Sequence, residues 1–297
     1  VILFLGFFEA RFAALNPSHF AAKKALLQRG AASIQTLVMG SSHELTGVVP
    51  SALGEPAFNL ASQSQSLYYD AGLVRKYRPL LPALKRVVLA VSYFSLEYEL
   101  ANGPERWRSF HYRYFYGLPH QDWHNVVSAR NLSAYFLSAE TTRARVLAGT
   151  CTNAFTEYDE WGGWTNRPRG SFLPAWADTN ALRNAAVGTL RLHHGMMRAE
   201  TFEANVDRLD ALIGDLRRDG IEVLLVTLPV TRYYIAGVRP ETYERMQVAL
   251  RHLITTHGVA YHNFMDDARF EDADFADGDH LNSRGADKLT RFLKDLL

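Results

Sequence analysis

Five short and nearly unbroken apolar segments constrain this chain most: residues 34–39 (IQTLVM), 56–60 (PAFNL), 86–91 (RVVLAV), 222–228 (EVLLVTL) and 259–264 (VAYHNF). A strand with one face in water alternates apolar and polar residues, whereas a strand buried on both faces reads apolar almost throughout. The segments therefore predict a parallel sheet covered by helices on both sides. Residues 66–81, 201–220, 240–258 and 283–297 place apolar side chains at helical spacing, and Gly220 and Gly258 stand where two of these helices should stop before a strand. Asn16-Pro17-Ser18 opens a further helix, FAAKKALLQR, with Gly30 at its end. Strand, strand, helix, strand, a long interval, then helix, strand, helix, strand, helix is the order of a three-layer, flavodoxin-like α/β domain.

The long interval, about 100–200, is rich in aromatic and turn residues (RSFHYRYFYGLPHQDWH, EYDEWGGWTNRPRGSF) and has weak periodicity. It reads as an insertion into a single domain spanning 17–297, as a subdomain or as long loops over the site. Residues 1–16 begin with VILFLGFF and continue with Glu9 and Arg11. Two readings stand for them: the remnant of a membrane or signal anchor, or an amphipathic first helix. Thirty-two basic against 31 acidic residues leave a net charge of +1, so no bulk field favours nucleic acid or an anionic membrane. Cys151, the one cysteine, can form no internal disulfide and reads as a bystander. Gly-rich nucleotide motifs are missing and the histidines show no metal spacing, so neither a cofactor nor a metal is expected.

Ligands of an open parallel sheet bind at the carboxyl ends of its strands. The residues there are Gly40-Ser41-Ser42-His43, Asn59 to Ser64, Ser92 to Ser95, and DADFADGDHLNSRGA at 272–286. A serine hydroxyl is a poor nucleophile until a base takes its proton, and the base needs an acid to fix its tautomer and stabilise the imidazolium. Asp277 and His280, three apart before a helix beginning near Asn282 or Ser283, can supply both. His43 reads as a wall or surface histidine, because neighbours along an extended chain point apart. Asp279 is awkwardly adjacent to His280, Asp274 reads as solvated, and His262 as an ordinary strand histidine. The aromatic run 107–123 reads as the insertion's own core; a sugar-binding groove with Arg106, Arg108 and Arg113 is the alternative.

GSS after the first strand, FNLASQSQ after the second and DGDHLNSRGADKLT near the C-terminus resemble blocks of the SGNH/GDSL hydrolase superfamily. The resemblance covers most of the chain outside 100–200. It implies Ser42 as nucleophile, with Ser41 in place of the family's aspartate, His280 as base and Asp277 as its acid partner. The family's oxyanion-binding glycine falls at Ser64, and its third block, G-x-N-D, is replaced by AVSYFS. The resemblance thus implies an oxyanion hole built from the amides of Ser42 and of Ser64 or a neighbour, with Ser62, Gln63 or Ser92 assisting. The chain is also similar to a branch associated with cell-surface polysaccharides and membrane-bound O-acyltransferases. That likeness implies an anchored periplasmic or extracytoplasmic esterase or O-acyltransferase acting on acetyl or other short acyl groups of a polysaccharide, in partnership with such a transferase or an assembly complex. The missing asparagine leaves an alternative, a catalytically silent glycan-binding or scaffolding module.

Overall fold

The computed structural model describes residues 6, 7, 9, 10, 12, 18–150, 157–166 and 179–297. All five apolar segments form strands: β1 Thr36–Met39, β2 Ala57–Asn59, β3 Arg86–Ala90, β4 Glu222–Thr227 and β5 Ala260–Asn263. They pair in parallel in the order β2-β1-β3-β4-β5. This is the flavodoxin-like order, whose direction of winding reverses at the β1/β3 junction.

The helices that position the sheet and the site are α1 His19–Gly30, α2 Ser42–Gly47, α3 Leu67–Tyr77, α4 Arg108–Tyr116, α5 Thr179–Met196, α6 Phe202–Arg218, α7 Pro240–His257 and α8 Ser283–Leu296; Glu140–Leu147 and several helical turns lie between them. Gly220 and Gly258 lie just beyond α6 and α7 with positive φ, the conformation that ends a helix without a Cβ penalty.

Alternate strand residues feed two cores, as the two-residue repeat of a pleated strand requires. Leu37, Met39, Val87, Leu89, Val223 and Leu225 face α1, α3, α6 and α7. Val38, Val88, Ala90, Leu224 and Val226 face the other way, against Leu289 and Leu293 of α8.

Two expectations for the interval at 100–200 are corrected. Its aromatic run does not build a separate core: Phe110, Tyr112, Phe115 and Tyr116 of α4 enter the main one, and Tyr112 stacks on Tyr69 with ring centroids 4.0 Å apart. A full-length helix also lies within it, because Leu182, Ala186 and Leu190 recur every fourth residue and are buried, with Ala186 and Leu190 packing α5 against Tyr93, Phe94 and Tyr234. Among the described residues no helix is long and apolar enough to cross a membrane. Most of residues 1–16, on which the anchor and first-helix readings rest, lie outside the described residues, as does Cys151.

Candidate active site

Ser42 stands at the switch point because β1 runs directly into α2. Ser41 occupies the cap position: its hydroxyl accepts from the His43 amide, and the Glu44 carboxylate accepts from the Ser41 amide at 2.6 Å. This reciprocal capping box starts a helix of only six residues. Gly40 has φ +143°, and a Cβ there would collide with the folded-back Glu44 carboxylate. The far end of α2 is tied down by Asn59, whose Nδ2 donates to the Glu44 and Val48 carbonyls, and by Thr290 of α8, whose hydroxyl accepts from the Val49 amide. Ser41, rather than Ser42, therefore caps the turn, and the Ser42 hydroxyl is left free for other partners.

The loop after β5 delivers the histidine. Phe275 and Leu281 form an antiparallel bridge, and between them the Asp277 carboxylate accepts from the amides of Asp279 and His280. The same carboxylate, folded back over its own turn, lies 3.0 Å from Nδ1 of His280. Nε2 of that ring lies 2.8 Å from Ser42 Oγ. The Gly278 carbonyl accepts from the Thr231 hydroxyl at 2.6 Å, and α5 presses so close that a Cβ on Gly278 would strike the Ala186 backbone. Asn282 then caps α8 by accepting from the Gly285 amide at 3.1 Å. Ser42, His280 and Asp277 thus stand in hydrogen-bonded sequence, the arrangement in which a histidine can take a serine proton.

A second layer lies behind them, and here two readings change. His43 is no surface histidine: it is buried, with Nε2 donating to Asp279 Oδ2 at 2.8 Å and Nδ1 hydrogen-bonded to Ser92 Oγ at 3.0 Å. Asp279, despite adjoining His280 in sequence, brings Oδ1 to 3.2 Å from that residue's Nδ1. Asp274 is likewise buried, paired with Arg284 and Lys288. His193 of α5 approaches Asp279 to 3.9 Å and bonds the Tyr234 hydroxyl through Nδ1 at 2.7 Å. Burial pushes His193 down to about 4, so it is neutral, and the protonated phenol of Tyr234 donates to Nδ1.

Burial works against charge on both Asp279 and His280. In His280 the desolvation is outweighed by the charge of Asp279 beside Nδ1 and by the hydrogen bond Nδ1–H donates to Asp277, which hold the imidazole well above its usual value. In Asp279 burial is outweighed by the charge of His280 and by hydrogen bonds from His280 and His43, which hold the carboxyl well below its usual range. His43, Asp279 and His280 are also close enough to ligate one metal ion. The 2.8 Å contact of His43 is that of an imidazole N–H on a carboxylate, and His280 Nδ1 is already directed to Asp277.

Ser42, Asp277 and His280 open onto a cleft of about 320 Å³ whose other walls include His19, Gln63, Glu157, Tyr158 and Trp164. The wall from 157–166 is held by the Asn59 amide, which donates to the Trp161 carbonyl at 2.9 Å. The four residues expected at the oxyanion hole divide. Gln63 lines the cleft, while Ser62 is buried beside it with its hydroxyl 3.1 Å from Nε2 of His19, itself a lining residue. Ser64 and Ser92 are not among the lining residues: the Ser64 hydroxyl donates to Glu105, and Ser92 is bonded to His43. Ser64 nevertheless has φ +55°, a left-handed conformation that suits glycine, at the position where the resemblance places one. Beyond His19 and Gln63 the cleft adjoins a larger cavity of about 570 Å³, lined by Trp107, Arg108, His111 and Arg130 among others.

The chain matches no protein-family model and no curated protein sequence. It is similar in structure to an acylhydrolase, by provisional assignment, from Bacteroides fragilis, at 10% identity and TM-score 0.45 over 91% of each chain. It is similar also to a Streptococcus protein whose description, again provisional, is platelet activating factor, at 13% identity and TM-score 0.46 over 100% of this chain and 99% of that one. A GDSL-like lipase from Bacteroides thetaiotaomicron aligns at 10% identity and TM-score 0.43, over 94% of this chain and all of the other. At such values the functional argument rests on the site's own geometry.

Proposed function

We propose that the protein is an SGNH-type serine esterase or O-acyltransferase, and that the Ser42–His280–Asp277 array carries the reaction. The single observation behind this reading is the 2.8 Å contact between Ser42 Oγ and His280 Nε2, with the opposite ring nitrogen on a carboxylate, at the mouth of a cleft. Ser42 attacks the acyl carbonyl while His280 takes its proton, and Asp277 keeps the Nδ1–H tautomer and stabilises the imidazolium. His280 then returns the proton to the departing alcohol oxygen, which leaves an acyl-serine. Water or a second alcohol, deprotonated by His280, attacks that ester and releases Ser42. The oxyanion is met by the Ser42 amide, which has no intrahelical acceptor in the first turn of α2, and by the amide of Gln63 on the cleft wall.

The acyl group is short and the alcohol is a sugar of a cell-envelope or extracellular polysaccharide. Two features support this. The triad cleft is small, and it shares the walls His19 and Gln63 with the larger cavity, where Trp107 offers an aromatic face and Arg130 offers hydrogen-bond donors. On this reading the cleft holds the acyl carbonyl and the larger cavity the glycan. Arg106 and Arg113, also expected at such a groove, do not line it. A membrane-bound O-acyltransferase or an assembly complex is the partner that would present such a glycan.

The test is hydrolysis of a chromogenic acetyl ester, together with labelling by a fluorophosphonate, in wild type and Ser42→Ala. Labelling and turnover that both depend on Ser42 support the reading; equal rates in the two proteins defeat it. Transfer to an added oligosaccharide in place of hydrolysis separates the transferase from the esterase.

A further inference from the structure

We propose that Asp279, braced by His43, is a second positioning carboxylate for His280, so that the base is held by one acid at the cleft and another inside the core. The proposal rests on the Ser42–His280 reading above and adds a residue to it.

The geometry is that of a chain of groups entering the core from the cleft. His280 Nδ1 faces Asp277 at 3.0 Å and Asp279 Oδ1 at 3.2 Å. Asp279 Oδ2 receives the Nε2–H of His43 at 2.8 Å, and Nδ1 of His43 reaches Ser92 at 3.0 Å. The rings of His43 and His280 meet edge to face, with centroids 5.2 Å apart. Asp279 has a wholly buried side chain, whereas that of Asp277 is 22% exposed on the cleft. An ionised carboxylate so enclosed is retained only where cations or N–H groups meet it. Those facing it are His43, His280 and, at 3.9 Å, His193.

Asp279 Oδ1 has no hydrogen-bond partner among the described residues: its 3.2 Å approach to His280 Nδ1 is a charge contact, while the Nδ1–H is aligned on Asp277. A small rotation of the ring would pass the Nδ1–H from one carboxylate to the other. This would keep the imidazolium paired while Nε2 moves between Ser42 and the departing alcohol. Ordinary structural pairing would instead make Asp279 a peg joining the 277–280 loop to α2, important for stability and indifferent to the charge on His280.

The two roles separate in the pH profile. The groups facing His280 are Ser42, Asp277, Asp279, His43 and His193. Removing the Asp279 charge destabilises the imidazolium, so Asp279→Asn is expected to move the acid limb of kcat/KM down by about 1 pH unit. The rate above the limb should fall by about 10- to 100-fold, the scale found for outer hydrogen-bond partners of metal-bound histidines. Asp277→Asn alone should fall short of the roughly 10⁴-fold loss of a triad with a single acid, and the double variant should reach it. His43→Gln, which keeps a donor for Asp279, should retain most activity, whereas His43→Ala should behave like Asp279→Asn.

An unshifted acid limb in a folded Asp279→Asn protein, or an Asp277→Asn loss already equal to that of the double variant, overturns the proposal. If Asp279→Asn does not fold, the His43 pair decides: equal profiles for Gln and Ala overturn it. Turnover indifferent to Ser42→Ala would refute the underlying reading, whereas Ser42-dependent turnover with an unmoved limb refutes this proposal alone.

Discussion

Ser42 Oγ lies 2.8 Å from Nε2 of His280, although 238 positions separate the two in the chain. Each sits at the start of a helix, Ser42 as the first residue of α2 and His280 three residues before α8, and the two helices are packed together through Thr290 and the Gly47 surface. Ser42→Ala is therefore expected to lower kcat by on the order of 10⁴- to 10⁶-fold with little change in melting temperature. Steady-state ester hydrolysis beside a thermal melt measures both quantities.

His280 is held well above its ordinary value of 6.5 by the neighbouring carboxylates, and it acts as a base only in its deprotonated form. The acid limb of kcat/KM should therefore lie above pH 6.5. Stability runs the opposite way. A raised histidine contributes its pairing energy fully below about 6.5 and loses it as pH climbs through the folded-state value. A limb at or below 6.5 in the pH–rate profile would contradict the ion pairing described here.

Burial pushes Asp70 up to about 7 against an ordinary 3.8, despite the hydrogen bond it accepts from Gln65 Nε2 at 2.7 Å. Its protonated form is the one the fold prefers, so stability is greatest below pH 3.8 and declines until pH passes about 7. Asp70→Asn keeps the acceptor oxygen and removes the titration. Between pH 5 and pH 8 its stability relative to wild type should rise by about 2–3 kcal/mol, at 1.4 kcal/mol per unit. Urea unfolding of the two proteins at each pH would reveal a constant difference if Asp70 did not titrate in the fold.

Gly162 has φ +72°, and a Cβ on it would lie 2.6 Å from the Asn59 carbonyl oxygen and 2.8 Å from the Phe58 ring. Gly162→Ala should cost roughly 1–3 kcal/mol through the left-handed backbone and the clash. It should also push Tyr158 and Trp164 out of the cleft wall, raising KM more than it lowers kcat. Kinetics with a glycan ester, set against a melt, would expose the alternative outcome of lost stability with an unchanged KM.

The central strands were legible because residues buried on both faces leave no polar gaps, as at 87–90, whereas β5 at the sheet edge is exposed or half-buried throughout; the D-x-x-H pair was legible because its geometry is local: Asp277 bonds the amides and ring of its own turn. The capping box of Ser41 and Glu44 was also written in the chain, since Ser41-Ser42-His43-Glu44 has the S-x-x-E spacing. It identifies α2 and frees Ser42 from the role of cap. The four-residue recurrence of Leu182, Ala186 and Leu190 likewise signalled α5, diluted by Gly188 and the histidines that follow.

Sequence alone determined what depends on neighbours along the chain: strand positions, helix periodicity, the Asp277–His280 turn and the order that puts Ser42 at a sheet end. Tertiary structure decided which distant groups meet. Sequence adjacency makes Asp279 look misdirected, yet its two oxygens reach His280 and His43 because α2 and the 277–280 loop converge. His193 joins them because α5 closes over that loop. A buried charge is stabilised by whatever surrounds it in space, and no spacing in the chain specifies that enclosure.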